Sequence, residues 1–131
     1  MPAFLESTGV TEQTTPEFRD DLRRLSTENR ARIETALRRS YELLRKDRRS
    51  FFARAKRPHA IYIKGGLTSS LYAFPVGRDI RLIMSVDDDP VFAQTLVTLF
   101  RAVRQDELGR AYRSIAERIY SNQIGTNGGQ Q

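Results

Sequence analysis

The chain has 131 residues, with 22 Lys/Arg against 16 Asp/Glu, one His and no Cys, for a net charge of +6 and a pI of about 10.2. That length fits one domain with one modest core, and the lack of Cys excludes a disulfide framework and a Cys/His zinc site. The opening MPAFLESTGV has no basic n-region and no apolar stretch of a leader, and no run approaches the roughly 20 apolar residues of a membrane span, so a soluble cytoplasmic protein without membrane contact is expected.

The charge is local. Residues 30–57 hold eleven Arg/Lys against three acids, a net of +8 in 28 residues and more than the surplus of the whole chain. Arginine dominates the run, and its planar fork suits phosphate or carboxylate. Such a field steers a polyanion or holds an acidic protein partner. A solvated helix face that serves only solubility is the plainer alternative.

Residues 1–15 are weakly patterned and leave room for a short edge strand within 3–14. Thr15-Pro16-Glu17 reads as a helix start, with Thr15 as N-cap, Pro16 at the first helical position and an acid in the first turn. Phe18, Leu22 and Leu25 follow at helical spacing, and Ser26 caps a second helix, expected over about 28–49. Ile33, Leu37, Tyr41 and Leu44 form its apolar stripe, widened by Ala36 and Ser40; Arg32, Arg39, Glu42, Lys46 and Arg49 lie opposite. Phe51 and Phe52 are expected to dock the helix end onto the core. Two helices joined so tightly predict an antiparallel hairpin.

After Pro58 the texture changes. HAIYIK (59–64) alternates as a short strand that ends at a Gly65-Gly66 turn. SSLYAFPV (69–76) is another strand, and Pro75 marks it as an edge or a bulge. Beyond Gly77-Arg78-Asp79, one strand face carries Ile80, Leu82, Met84 and Val86, and the other carries Arg81, Ile83 and Ser85. Asp87-Asp88-Asp89-Pro90 is expected to turn the chain. The β-branched and aromatic content of 95–103 favours a further strand. DELGRAYRSIAERIY (106–120) forms a last helix, with Leu108, Tyr112, Ile115 and Ile119 on one side, and SNQIGTNGGQQ (121–131) reads as a disordered tail. The fold class is therefore α+β over 1–120, a single domain: an N-terminal helical hairpin packed as one layer on a three- to four-stranded, mainly antiparallel sheet, with an extra C-terminal helix.

Three adjacent aspartates suggest a two-metal site, but adjacent side chains in a turn diverge and the region 59–105 adds only Asp79, so neither metal nor cofactor is expected. Gly65-Gly66 fits no dinucleotide-binding pattern. His59, the sole near-neutral acid–base group, has no partner visible in the sequence and reads as a surface or packing residue. Arg81 is the conspicuous residue, a charge in mid-strand. Arg78, Lys64, Arg101 and Arg104 flank the same sheet, and together they suggest a concave basic surface that holds a phosphodiester and stabilises transition-state charge. Arg54, Lys56 and Arg57 extend the candidate RNA-binding set; Arg38, Arg39, Arg45 and Arg49 are the candidate partner-binding set on the helix. Internal ion pairing of Arg81 and Arg101 is the structural alternative, as is core packing for Tyr112.

TPEFRDDLRRLS (15–26) followed by an arginine-bearing helix with Ala36-Leu37, LYAFPVGRDIRLIMSVDDD (71–89) and LVTLFRAVRQDEL (96–108) resemble, in that order and spacing, the RelE/ParE superfamily of toxins from bacterial toxin–antitoxin pairs. The resemblance covers about 15–108. It implies a small α+β protein that cleaves mRNA, often on the ribosome and without metal, or inhibits DNA gyrase, and that an acidic antitoxin neutralises. By the resemblance, Arg81 matches the phosphate-binding strand arginine, Arg101 or Arg104 the basic position after the last strand, and Tyr112 the C-terminal aromatic used as base or stacking group. The chain departs from the family in having no C-terminal His, in its long C-terminal helix and in a first strand poor in apolar residues.

The expected function is thus a toxin acting as a metal-independent endoribonuclease, the RNA's own 2′-OH attacking. This requires Arg81 and one of Arg101 and Arg104 on one concave surface, with Tyr112 as an optional further member. The alternative is a non-catalytic member acting by protein binding, through gyrase inhibition or antitoxin-like contact, with helix 28–49 as the interface and Arg81 salt-bridged internally.

Overall fold

The computed structural model describes residues 9–57, 62–63, 67–68 and 70–120. Its elements are β1 (Val10–Thr14), α1 (Pro16–Arg24), α2 (Thr27–Lys46), α3 (Arg48–Arg54), β2 (Tyr62–Ile63), β3 (Leu67–Thr68), β4 (Leu71–Val76), β5 (Ile80–Asp89), β6 (Gln94–Arg104), a single 3₁₀ turn (Gln105–Glu107) and α4 (Leu108–Tyr120). The main sheet has the order β1-β6-β5-β4, and β2 and β3 form a separate pair. The hairpin-linked strands β4, β5 and β6 are antiparallel. β1 lies parallel to β6, which the helical crossover between them permits. The fold is α+β: N-terminal helices on a four-stranded mixed sheet, plus a C-terminal helix.

The helix starts follow the local chemistry. Thr15 Oγ1 accepts the Phe18 N–H at 3.0 Å and Ser26 Oγ the Asn29 N–H at 3.1 Å, each satisfying a donor that the first helical turn leaves unpaired. The expected helix over 28–49 is in fact two. Asp47 leaves helical geometry (φ −152°, ψ 76°) and caps α3, accepting the Ser50 N–H. The break redirects the chain so that Phe51 is fully buried, its ring stacked on Phe74 with centroids 5.4 Å apart. Arg49 therefore belongs to α3.

Strand alternation builds two cores. Leu82, Met84 and Val86 face Phe18, Ile33, Leu37, Tyr41, Leu44 and Phe51. Ile83, on the opposite face, packs with Leu71, Val103, Tyr112, Ile115 and Ala116. The sheet is thus covered on both faces, and the expectation of one helical layer is corrected: α4 supplies a third layer because its apolar stripe needs a partner surface. A second correction concerns the aspartates. Asp87, Asp88 and Asp89 pair with Leu96, Thr95 and Gln94 within β5 and β6, and the turn begins only at Pro90.

Pro75 sits where its missing N–H costs nothing. β4 is an edge strand, and Ala73 exchanges both backbone hydrogen bonds with Lys56 on its outer side. Pro75 has the same parity as Ala73, so its nitrogen also points away from β5. His59, Lys64, Gly65-Gly66 and the tail 121–131 lie outside the described residues.

β1 is joined to α2 by the Tyr41 hydroxyl, which donates to Glu12 Oε2 at 2.7 Å. Burial raises the Glu12 carboxyl above its usual 4.5, and the Tyr41 bond offsets part of the rise; burial, followed by the Glu12 charge, pushes the Tyr41 phenol far up. A carboxyl raised in the folded state is neutral in both states below about pH 4.5, and its contribution to stability is lost as pH climbs through the folded value. Glu12→Gln keeps an acceptor for Tyr41 without the charge. In urea unfolding at a series of pH values, wild type and variant should coincide below about pH 4, and the variant should be the more stable at pH 7. A variant less stable at pH 7 would contradict the assignment.

Candidate functional site

Arg81 is the second residue of β5 rather than a mid-strand charge, because the strand runs on to Asp89; it lies on the α4 side, between Pro75 and Val103 on the neighbouring strands. Its guanidinium curls back along the chain, donating to Ile80 O at 2.8 Å and Gly77 O at 3.3 Å. Among the described residues no carboxylate forms a salt bridge with it. This differs from the internal ion pair expected of a binding member. A half-buried guanidinium held only by carbonyls keeps an uncompensated positive charge at the β4–β5 end of the sheet. Arg78 is exposed in the adjoining turn. Arg104, opposite Ile80, is exposed and only loosely paired, its Nε 3.7 Å from Asp106. Arg78, Arg81 and Arg104 thus gather at one end of the sheet but not on one face: Arg104, opposite Ile80, shares the face under α1 and α2, whereas Arg81, opposite Val103, lies on the α4 face.

Arg101 does not join it. Its Nε donates to Asp21 Oδ2 at 2.7 Å and its Nη2 to Oδ1 at 3.2 Å. Asp21, 7% exposed, also accepts the Ala102 N–H at 2.9 Å. The origin is topological. β1 pairs with β6 only as far as Leu99, where Thr15 N–H reaches Leu99 O. Beyond that point α1 lies along the β6 edge, and Asp21 satisfies a backbone donor that no strand can reach. The Asp21 hydrogen bond raises Arg101 above the usual arginine value, against a smaller lowering by burial. Arg101 is a fixed cation neutralised by its partner.

Tyr112 is fully buried, and its hydroxyl donates to Leu71 O at 2.5 Å. It shares the α4 side of the sheet with Arg81 but is enclosed in the second core, with no route to a substrate. The surface expected to gather Arg81, Arg101 or Arg104, and Tyr112 is therefore not assembled: Arg81 and Arg104 project from opposite faces of the sheet. Arg101 is engaged as an ion pair, and Tyr112 is a core residue, because an amphipathic helix laid on a sheet turns its tyrosine inward with Ile115.

The other candidates disperse further. The Arg54 guanidinium stands over the Phe74 ring at 5.2 Å. Arg57 stands over Tyr72 at 4.8 Å and donates to its hydroxyl at 2.8 Å. Lys56 is exposed beside the β4 edge. Arg38, Arg39 and Arg45 are exposed on α2 and Arg49 on α3. Arg45 and Lys46 both bond Glu42 and hold its carboxyl below the usual range. Lys64 lies outside the described residues.

The structure also assembles a feature that the sequence reading divided between two sets. Arg39 and Arg54, joined by Arg32, line an open groove of about 530 Å³ between α2 and the end of β4, with Ala31, Ala36 and Phe74–Gly77 among its walls. Arg32 and Arg39 are seven residues apart, two helical turns and roughly 10 Å, a legible signal for a shared face. Arg54 joins them only through the break at Asp47. Arg48 was likewise missed: it bonds Asp88 at 3.0 Å and stands over Phe52. The aspartates have separate partners, Asp87 accepting from Ser70 Oγ and Asp89 from the turn amides. Among the described residues no three His, Asp or Glu side chains are grouped to hold a metal.

Against known proteins the chain matches no family model, no curated protein and no solved structure.

Asp21→Ala should lower unfolding stability by about 1.5–3 kcal/mol, since it strands a charged donor and a buried N–H. Adding Arg101→Ala should cost little more than Asp21→Ala alone. Fully additive losses in urea titrations would show that the two side chains do not act as a pair.

Proposed function

We propose that this chain is a RelE/ParE-like toxin that acts by binding rather than by cutting RNA. Its basic surfaces engage an acidic partner: an antitoxin that neutralises it, and a target such as DNA gyrase. One observation carries this preference: the groups that would have to work together are separated, with Arg101 bonded to Asp21 and Tyr112 enclosed in the core. Metal-free RNA cleavage needs a group that moves the 2′-OH proton within reach of the scissile phosphate. Among the described residues, the hydrogen bonds of Arg81 go to the Gly77 and Ile80 carbonyls and its strand partners are Pro75 and Val103, so no titratable side chain is bonded to it.

The endoribonuclease remains the second reading because of Arg81 itself. A guanidinium without a salt-bridged carboxylate, close in the chain to the exposed Arg78, suits a phosphodiester. Both readings rest on the family resemblance, supported by the order of one strand, a helical pair and hairpin-linked strands.

Induction in a bacterial host separates them. Wild type should arrest growth without creating new transcript 5′ ends, and an acidic protein co-purifying from its native host should relieve the arrest. New transcript ends that vanish in Arg81→Ala would establish the ribonuclease instead. Undisturbed growth with the soluble protein present would sink both.

A further inference from the structure

Among the described residues, Val91 and Phe92 are the most exposed large apolar side chains, at 80% and 72%. They occupy the tip of the β5–β6 hairpin and pack into neither core. The tip is nevertheless built. Asp89 Oδ1 accepts the N–H of Val91 at 3.0 Å and of Phe92 at 3.4 Å, and Ala93 takes the left-handed conformation (φ 52°) that completes the turn. A side chain other than Gly held at positive φ is uncommon. An aromatic–aliphatic pair presented on a pre-organised turn, with no part in the fold, has the character of an interface anchor. Its base is acidic: Asp87 and Asp88 are exposed beside it; Asp88 is paired with Arg48 at 3.0 Å, whereas Asp87 meets only the neutral Ser70 hydroxyl and keeps its charge.

The α2/β4 groove is the complement. Its walls are apolar at Ala31, Ala36, Pro75 and Val76, above the buried Phe74, and it carries Arg32, Arg39 and Arg54 against the single acid Glu28. Glu28 is bonded to Arg32 at 3.2 Å, so the groove retains a positive excess. An apolar knob flanked by carboxylates fits an apolar trough flanked by guanidinia. A nucleic acid is the poorer match, because the Phe74 ring is buried and covered by Arg54 and offers no face for base stacking.

The tip cannot reach the groove of its own chain. The groove lies at the Val76–Gly77 end of the sheet and the tip at the far end of β5, ten residues away, roughly 30 Å. We propose that the hairpin tip of one copy seats in the α2/β4 groove of a second copy, Phe92 and Val91 against the apolar walls and Asp87 and Asp88 toward the arginines. With tip and groove at opposite ends, two antiparallel copies close both contacts about a twofold axis.

Sedimentation velocity over a concentration series tests this. Wild type should show a reversible monomer–dimer equilibrium. Phe92→Ser and Arg39→Glu alter exposed side chains and should leave the fold intact by circular dichroism, and each should weaken self-association roughly tenfold or more. A monomeric wild type, or association indifferent to either substitution, would overturn the proposal. So would an acidic partner that binds the groove while wild type alone never self-associates.

Discussion

The Asp21 carboxylate holds together two parts of the chain that lie far apart in the sequence. It bonds Arg101 and the Ala102 N–H, eighty residues on. β6 is eleven residues long and β1 only five, so half of the β6 edge would face α1 with unpaired donors. A buried carboxylate is tolerable only with charge and hydrogen bonds around it, and a strand edge is tolerable only when something covers it. Each solves the other's difficulty. The result fixes α1 against the sheet, with Thr15 serving both as N-cap and as the bridge to Phe100 O.

The same interaction shapes the functional surface. It takes Arg101 out of the set of available cations and leaves the β4–β5 end to Arg78, Arg81 and Arg104. On the helical side, the break at Asp47 has a comparable effect. It turns Phe51 into the core and carries Arg54 to the mouth of the groove beside Arg39. Charge that looks like one uniform run in the sequence therefore becomes several surfaces, each tied to a particular aromatic or acidic neighbour.

Some of this was legible residue by residue. Thr15-Pro16-Glu17 and Ser26 are capped as their side chains dictate, because a cap is a contact over three residues. The alternation of Ile80–Val86 reads directly as two faces, since successive strand residues must oppose one another. Pro75 marked an edge strand for the same local reason. The aspartates misled because Asp favours turns in general, while pairing with β6 extends the strand through them. Helix 28–49 hid its break because Asp47 is compatible with both a helix interior and a new N-cap.

The sequence by itself determined the element types, the helix caps, the two faces of β5 and the local concentration of basic charge. These depend on neighbours within a few positions, where sterics and hydrogen bonding are decided by residue identity. Tertiary structure alone decided the parallel pairing of β1 with β6, the third layer that α4 supplies, the capture of Arg101 by Asp21, the enclosure of Tyr112, and the meeting of Arg39 with Arg54. Each of these depends on which groups are brought together from distant positions once the apolar faces are buried. An arginine reads the same in sequence whether it ends beside a carboxylate, a carbonyl or open solvent, and its surroundings, set by the packing of other elements, decide which of its charges remain available.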